Sequence, residues 1–357
     1  MNSRPARDPR PTSASRHAAD AGFTLVEVVI SASLLIAMLY AVSTLSLSGA
    51  QAADLSRRLT RASEVTQEIV DDMRLELTSS VRLFGNDTEG IECMQRFDIS
   101  GGPPPLGSLR LPTIDSGGSV RADTPGDEIT GNVLIFAKLA WTDRFVCTSS
   151  AEYLVDVTRW VGYYLTPEAG GPMEGRPTGL NLVRVLSEPL IDAAGIDSIT
   201  DSTDQAEFLL HLLNATPDAQ GVRHAPCEIV WQRGALPSTV GTFRQIDPTN
   251  GSLSFTPILA TGRADPFAVE RAEPDLTGIL YYRHHSVATN YSQPSYGVGA
   301  FAVMDSAGDG FPHGFEVQIA GPSSARQVLL HLVVTSTNGT GHLAWSNVQV
   351  LVDARDI

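Results

Sequence analysis

The sequence predicts an α+β fold in which one long N-terminal helix packs on an antiparallel β-sheet head with large loop insertions. Residues 28–53 carry no charge, and residues 55–81 place apolar side chains at steps of three and four. The rest of the chain alternates short apolar segments with turn residues. The first pattern is typical of a membrane-spanning helix, the second of an amphipathic helix and the third of β-strands.

The apolar run at residues 28–53 predicts a single transmembrane helix. At 1.5 Å per residue it would be about 39 Å long, more than the roughly 30 Å of a hydrocarbon core. The leader before it contains Arg4, Arg7, Arg10 and Arg16, and Asp54 follows the run. The positive-inside rule therefore places the leader in the cytoplasm and the remaining chain on the outer side.

Two other interpretations of this segment stay open. The small residues at 50–52 fit a signal-peptidase site, and cleavage there would release a secreted protein that begins at Ala53. Against this, the run is longer than the apolar region of an ordinary signal peptide, and Glu27 interrupts it. The second interpretation is a plain membrane anchor for an adhesin or binding protein.

Helical periodicity continues beyond the apolar run, and its apolar positions are Leu55, Leu59, Ala62, Val65, Ile69, Met73, Leu77 and Val81. No proline occurs between residues 23 and 102, so one helix from residue 23 to about residue 83 would extend roughly 90 Å. We expect residues 54–84 to pack on the head and residues 23–53 to contact lipid or neighbouring copies. Hydroxyl side chains near Thr44, together with Gly49, are expected to soften the helix there.

The sequence GFTLVE occupies residues 22–27, between the basic leader and the apolar helix. A carboxylate in a membrane-spanning segment costs about 2.5 to 3.5 kcal/mol, so Glu27 is expected to have a function. The motif, with the leader before it and the uninterrupted apolar helix after it, resembles the prepilin signature of type IV pilins and type II secretion pseudopilins. The resemblance covers residues 1 to about 50.

The resemblance implies that prepilin peptidase cleaves between Gly22 and Phe23 and that the new amino terminus on Phe23 is N-methylated. Residues 1–22 would then be a removed leader. Glu27 would neutralise the amino terminus of an adjacent subunit, and its neighbours Thr24, Leu25 and Val26 would belong to the same assembly segment. The implied partners are other pilin-like subunits, the peptidase and methyltransferase, and an inner-membrane assembly platform.

The same resemblance implies a location in the bacterial inner membrane, with a periplasmic head at residues 85–357, before entry into a pilus or pseudopilus fibre. The chain left after cleavage is larger than typical major pilins, which favours a minor or initiating subunit similar to W-type minor pilins or J-type pseudopilins. One departure is the absence of the proline that major pilins often carry about twenty residues into the mature chain. Thr44 occupies that neighbourhood.

The head is predicted to be rich in β-strands, at residues 132–141, 153–165, 180–186, 228–232, 278–283, 301–304, 315–320, 327–334 and 347–352. The strands at 315–320 and 327–334 are expected to form a hairpin with one buried face. Residues 204–213 are the only other helix predicted, and residues 101–126 and 167–179 are predicted loops. The loops indicate either insertions on one sheet or two subdomains divided near residues 190–225.

The head contains little candidate chemistry. Asp305 and Asp309 resemble a fragment of a calcium loop but lack the spacing of an EF-hand, so no metal site is predicted beyond this weak candidate. The adjacent His284 and His285 would face opposite sides of a strand and would not converge on one metal. With no hydrolase, protease or nucleotide-binding fingerprint, we expect neither an enzyme nor a cofactor nor a small-molecule substrate.

Two further compositional features bear on partners and compartment. The formal net charge is −15, and removal of the basic leader would make it more negative, so nucleic acid is not an expected partner. Cys93, Cys147 and Cys227 are candidates for one disulfide with one remaining thiol in an oxidising compartment, or for three buried thiols. The sequence leaves the pairing open.

Overall fold

The N-terminal helix is the longest element of the computed structural model, which describes residues 24–96, 109–120, 129–167, 180–213, 226–233, 243–255, 263–266, 273–274, 280–281, 285–288, 314–337 and 343–356. The chain divides into two units, Met1–Asp54 and Leu55–Ile357. The helices are α1 (Leu25–Thr78), α2 (Thr88–Arg96), α3 (Ala193–Asp197) and α4 (Ser202–Leu213).

In the part of the chain that the structure describes, these helices are accompanied by sixteen strands: β1 (Ser80–Phe84), β2 (Ile114–Asp115), β3 (Val133–Val146), β4 (Glu152–Pro167), β5 (Leu180–Leu186), β6 (Leu190–Asp192), β7 (Ile229–Trp231), β8 (Phe243–Ile246), β9 (Leu253–Phe255), β10 (Arg263–Pro266), β11 (Glu273–Pro274), β12 (Leu280–Tyr281), β13 (His285–Val287), β14 (Phe315–Ala320), β15 (Arg326–Thr337) and β16 (Leu343–Ala354). The α+β class is therefore confirmed.

Within the described residues, fourteen of the strands form one sheet and β11 pairs with β12. The central path of the fourteen-stranded sheet has the order β2-β14-β15-β13-β5-β4-β6-β7-β8-β9. In addition, β3 pairs with β4, β1 pairs with β3, β10 pairs with β5, and β16 pairs with β15. The pairs β14–β2 and β6–β7 are parallel. The other pairs are antiparallel, as the sequence predicts.

The largest apolar cluster of the second unit lies between α1 and the sheet. Ala62, Val65, Ile69, Met73 and Leu77 of α1 are all buried in it. The sheet side is formed by residues of β3, β4, β5, β14, β15 and β16. The predicted amphipathic helix is thus confirmed over this stretch.

The helix ends earlier than predicted. The boundary at residue 84 is wrong, because α1 stops at Thr78 and residues 80–84 form β1 instead. Ser79 terminates the helix, with its backbone N–H and its hydroxyl donating to the Glu76 carbonyl at 3.1 and 2.7 Å. β1 then pairs with β3, and this pairing overrides a helical periodicity that Val81 also satisfies.

Two smaller apolar clusters account for helices that the sequence pattern did not predict. One joins α2 to the indole rings of Trp160 and Trp231 and to Phe84. The other packs α3 and α4 on β4, β6 and β7, with Phe208 fully buried. The statement that 204–213 is the only further helix is therefore wrong, although α4 itself is confirmed.

The hairpin formed by β14 and β15 is confirmed, with Phe315 opposite Leu332 and Ala320 opposite Gln327. Gly321 follows β14 with φ +92°, a conformation that a residue with a side chain rarely adopts. The prediction of one buried face is wrong, because every residue of β14 is buried. Glu316 lies on the face away from α1 and bonds His331 Nδ1 at 2.9 Å.

Candidate functional site

The start of α1 is the part of the predicted assembly segment that the structure describes. The Thr24 N–H donates to Glu27 Oε2 at 2.9 Å, and the Glu27 N–H approaches Thr24 Oγ1 at 3.3 Å. These reciprocal bonds form a capping box, which satisfies backbone donors that a helix start otherwise leaves without an acceptor. Leu25 and Val26 lie between the two residues and are exposed. Gly22 and Phe23 lie outside the described residues.

The capping box was not anticipated, although the sequence contains its signal. A threonine followed three residues later by a glutamate, immediately before an apolar run, is the pattern of a helix start. Thr24 Oγ1 also donates to Glu27 Oε2 at 3.0 Å. Glu27 Oε1 has no hydrogen bond with any described residue, and a carboxylate oxygen can accept from a further donor.

The first half of α1 presents a continuous apolar surface. Within the described part of unit Met1–Asp54, Glu27 and Asp54 are the only charged residues. The large apolar side chains are all exposed, and they are Leu25, Val26, Val28, Val29, Ile30, Leu34, Leu35, Ile36, Met38, Leu39, Tyr40, Val42, Leu45 and Leu47. This helix is long and apolar enough to span a membrane, and no residue of its most apolar window is buried.

Two hydroxyl side chains in this half of α1, those of Ser33 and Thr44, donate hydrogen bonds to carbonyl groups of the same helix. Ser33 Oγ donates to the Val29 carbonyl at 2.8 Å, and Thr44 Oγ1 donates to the carbonyls of Ala41 and Tyr40 at 2.9 and 3.1 Å. Such bonds give the hydroxyl hydrogen an acceptor within the helix, so the hydroxyl needs no other acceptor in lipid. The helix continues without interruption past Thr44 and Gly49, so no break marks the predicted soft segment.

The second half of α1 is fixed to the sheet by Glu76. Arg184 of β5 binds this carboxylate through two nitrogens, with Nη2 at 2.6 Å from Oε1 and Nε at 3.0 Å from Oε2. Lys138 of β3 donates to Oε1, and the Tyr163 hydroxyl of β4 donates to Oε2. One side chain of the helix therefore binds three adjacent strands.

The electrostatics of this group, which we call the Glu76 cluster (Glu76, Lys138, Tyr163 and Arg184), favour the ionised carboxylate. Burial by itself would raise the pKa of Glu76, but the bonds from Arg184, Lys138 and Tyr163 outweigh it and lower the pKa to about 2. Burial and the Glu76 charge raise the pKa of Tyr163, so it remains a neutral donor. In the sequence, the pattern that could have indicated the Glu76 cluster is a set of charged residues inside otherwise apolar segments.

A second buried ion pair lies where α1 passes into β1. The Asp356 side chain accepts from Arg326 Nε at 3.0 Å, from the Leu83 N–H at 3.2 Å and from Arg82 Nη1 at 3.3 Å. Arg82 also binds Glu89 of α2 at 2.8 Å. Asp356 thus connects the start of β15 to Arg82 and Leu83 of β1.

The weak metal candidates Asp305 and Asp309 lie outside the described residues, as does His284. Elsewhere, Cys147, Asp204 and Glu207 place one ligand atom each within 4.8 Å of one another. These carboxylates already accept hydrogen bonds: Asp204 Oδ2 from Ser149 and Tyr153 at 2.8 and 3.0 Å, and Glu207 Oε2 from the Thr148 N–H at 2.8 Å. The bonds fix the β3–β4 turn to the start of α4.

All three cysteines lie in the described part of the chain, and each is a buried thiol. Cys93 belongs to the cluster around Trp160, and Cys227 belongs to the cluster around Phe208. Burial, followed by the charge of Asp204, raises the pKa of the Cys147 thiol to about 11.

Neither a protein-family model, nor a curated protein, nor a solved structure matches this chain.

Proposed function

We propose that this protein is a structural subunit of a pilus-type assembly, a minor or initiating pilin that prepilin peptidase cleaves between Gly22 and Phe23. It is inserted in the membrane and docks on other pilin-like subunits through the first half of α1. The observation that carries the proposal is the single carboxylate of Glu27 at the start of an exposed, uncharged helix.

Charged groups in lipid are unfavourable unless they are paired. Cleavage would leave a positively charged amine on Phe23, and an isolated amine or carboxylate is costly in a low-dielectric medium. Paired across two subunits, the two groups compensate each other, and loss of either one leaves the other without a counterion. Glu27 Oε2 accepts hydrogen bonds from the Thr24 N–H and hydroxyl at the start of its own helix. Oε1 is therefore the oxygen available to the amino terminus of a neighbouring subunit.

Glu27 therefore has two separable roles, and the substitutions Glu27→Gln and Thr24→Ala distinguish them. Glutamine can form the capping box but has no charge. Alanine at position 24 removes the capping hydroxyl, at a cost of about 1 kcal/mol, and leaves the charge of Glu27. The docking proposal predicts that Glu27→Gln, like Glu27→Ala, sharply reduces incorporation, whereas Thr24→Ala incorporates nearly as well as the unsubstituted chain.

The measurement is the amount of each variant recovered with sheared fibres or with cross-linked pilin-like subunits, relative to its amount in the membrane. Fluorescence of the buried Trp160 and Trp231 checks that each head is folded. Normal incorporation of Glu27→Gln would contradict the charge-pairing role and would leave helix capping as the function of Glu27.

The same features fit a minor pseudopilin of a type II secretion system, which would act in protein export. The two machines share the leader, the cleavage site and the helix. Purification of the chain with its cognate assembly platform, followed by identification of that platform, distinguishes the two machines.

A further inference from the structure

Tyr40 is the one aromatic residue in the uncharged run at residues 28–53. It lies within α1, and its side chain is 73% exposed. The Ser33 and Thr44 hydroxyls donate to carbonyl groups of their own helix, which a short side chain can reach. The Tyr40 ring holds its hydroxyl away from the backbone, and this hydroxyl forms no hydrogen bond with any residue that the structure describes. Tyr40 therefore presents a donor that α1 does not satisfy.

In the proposed membrane orientation, the Tyr40 hydroxyl lies within hydrocarbon. A core of about 30 Å covers about 20 residues of a helix. If Glu27 lies at the inner boundary, the core extends to about residue 47, and Tyr40 lies about 10 Å inside the outer boundary. If Asp54 lies at the outer boundary, the core begins at about residue 34, and Tyr40 lies about 9 Å inside the inner boundary. A tyrosine hydroxyl is roughly 6.5 Å from its Cα, so it reaches neither boundary.

A hydroxyl at this depth needs an acceptor that lipid does not offer. Hydrocarbon chains contain no hydrogen-bonding atoms, so an unpaired hydroxyl among them is unfavourable. Tyrosine is accordingly enriched at the two membrane interfaces, where its hydroxyl contacts water. The described part of the chain contains one helix that could span a membrane, so a second membrane helix would come from another molecule. Hydrogen bonds between neighbouring membrane helices satisfy such side chains.

We propose that Tyr40 is a positioning residue of the assembly, whose hydroxyl donates to an oxygen atom in the membrane helix of an adjacent pilin-like subunit. This inference rests on the proposed function, in which α1 docks on such a helix. Apolar side chains gain little when they exchange lipid for another apolar surface, so they fix the axial register of two helices poorly. Glu27 and Tyr40 give α1 two polar contacts about 20 Å apart along its axis, which together define the register.

The test compares Tyr40→Phe with the matched variant Thr44→Val in the full-length chain. Phenylalanine keeps the ring and removes only the hydroxyl, whereas valine removes a hydroxyl that is already bonded inside α1. The measured quantity is the amount recovered with sheared fibres, divided by the amount in the membrane. We expect Tyr40→Phe to lower this ratio about three- to twenty-fold, the range for hydrogen bonds between membrane helices, and Thr44→Val to change it less than about two-fold.

Three outcomes would overturn the proposal: an unchanged ratio for Tyr40→Phe, an equal loss for Thr44→Val, or a loss of Tyr40→Phe from the membrane itself at an unchanged ratio. The last outcome would show that the hydroxyl acts in insertion and not in docking. Glu27→Gln distinguishes this inference from the proposed function. If Tyr40→Phe alone incorporates normally, the role of Tyr40 fails, whereas normal incorporation of Glu27→Gln contradicts the charge pairing on which the proposed function depends.

A photoreactive probe tests the identity of the neighbour. 4-Azidophenylalanine at residue 40 is close to tyrosine in size and reacts with adjacent atoms on illumination. We expect a cross-link to a peptide from the N-terminal apolar helix of a subunit that has its own prepilin motif, identified by mass spectrometry. A cross-link to lipid alone, or to a protein of the assembly platform, would overturn the proposal.

Discussion

Replacement of Glu76 by glutamine should destabilise the head by about 3 kcal/mol at neutral pH. The difference between the ordinary pKa of 4.5 and the pKa of about 2 in the folded protein corresponds to roughly that free energy. The Glu76 side chain is only 14% exposed, so solvent screens it weakly. Its removal also leaves Lys138 and Arg184 without their counterion, which is costly for partly buried charges.

The pH dependence has a definite sign. Because the folded-state pKa of Glu76 lies below its unfolded value, folding favours the ionised form. The stabilisation is therefore complete above about pH 4.5 and is lost as the pH falls toward 2. The difference in unfolding free energy between the unsubstituted chain and Glu76→Gln should shrink over that interval.

The assay is denaturant unfolding of the full-length protein in detergent, followed by the fluorescence of Trp160 and Trp231. The control is Glu64→Gln on the same helix, because the Glu64 side chain is 58% exposed and its pair with Arg61 is a surface pair. We expect the control to change the unfolding free energy by less than about 0.5 kcal/mol. A loss for Glu76→Gln no larger than the control would refute the role of the Glu76 cluster.

Two further predictions concern the junction and the leader. Asp356→Ala should lower the unfolding free energy by about 3 to 5 kcal/mol, because a 1% exposed carboxylate that pairs with Arg326 is lost, and the exposed control Asp353→Ala should change it little. An equal effect of the two substitutions would argue against the buried pair. Gly22→Leu should leave an unprocessed precursor on an immunoblot of membranes, because a bulky side chain does not fit a narrow peptidase site. A product of mature size would contradict the predicted cleavage position.

Local sequence patterns predicted much of the fold. The bounds of β5 and β14 agree with the predicted strands at 180–186 and 315–320, and α4 contains the predicted helix. In each case a short apolar run is limited by turn residues, so the information lies within the segment itself. β3, β4, β15 and β16 are longer than predicted because pairing with neighbours extends them through polar residues.

Features that depend on distant residues were not predictable in the same way. Val81 satisfies the helical period, yet residues 80–84 form β1 because β3 is available for pairing. The three partners of Glu76 lie 62, 87 and 108 residues away in sequence, so a single sequence gives no basis for matching them. By contrast, the capping box of Thr24 and Glu27 is local and could have been identified from the sequence.

The proposed function requires that Phe23 become the amino terminus of a subunit that docks through α1. The most direct measurement is mass spectrometry of the amino-terminal peptide of the chain isolated from the membrane of its natural host. Cleavage and assembly as a pilin predict an N-methylated Phe23. An intact leader, or a chain that begins at Ala53, would contradict the proposed function and would support a plain membrane anchor or a secreted protein, respectively.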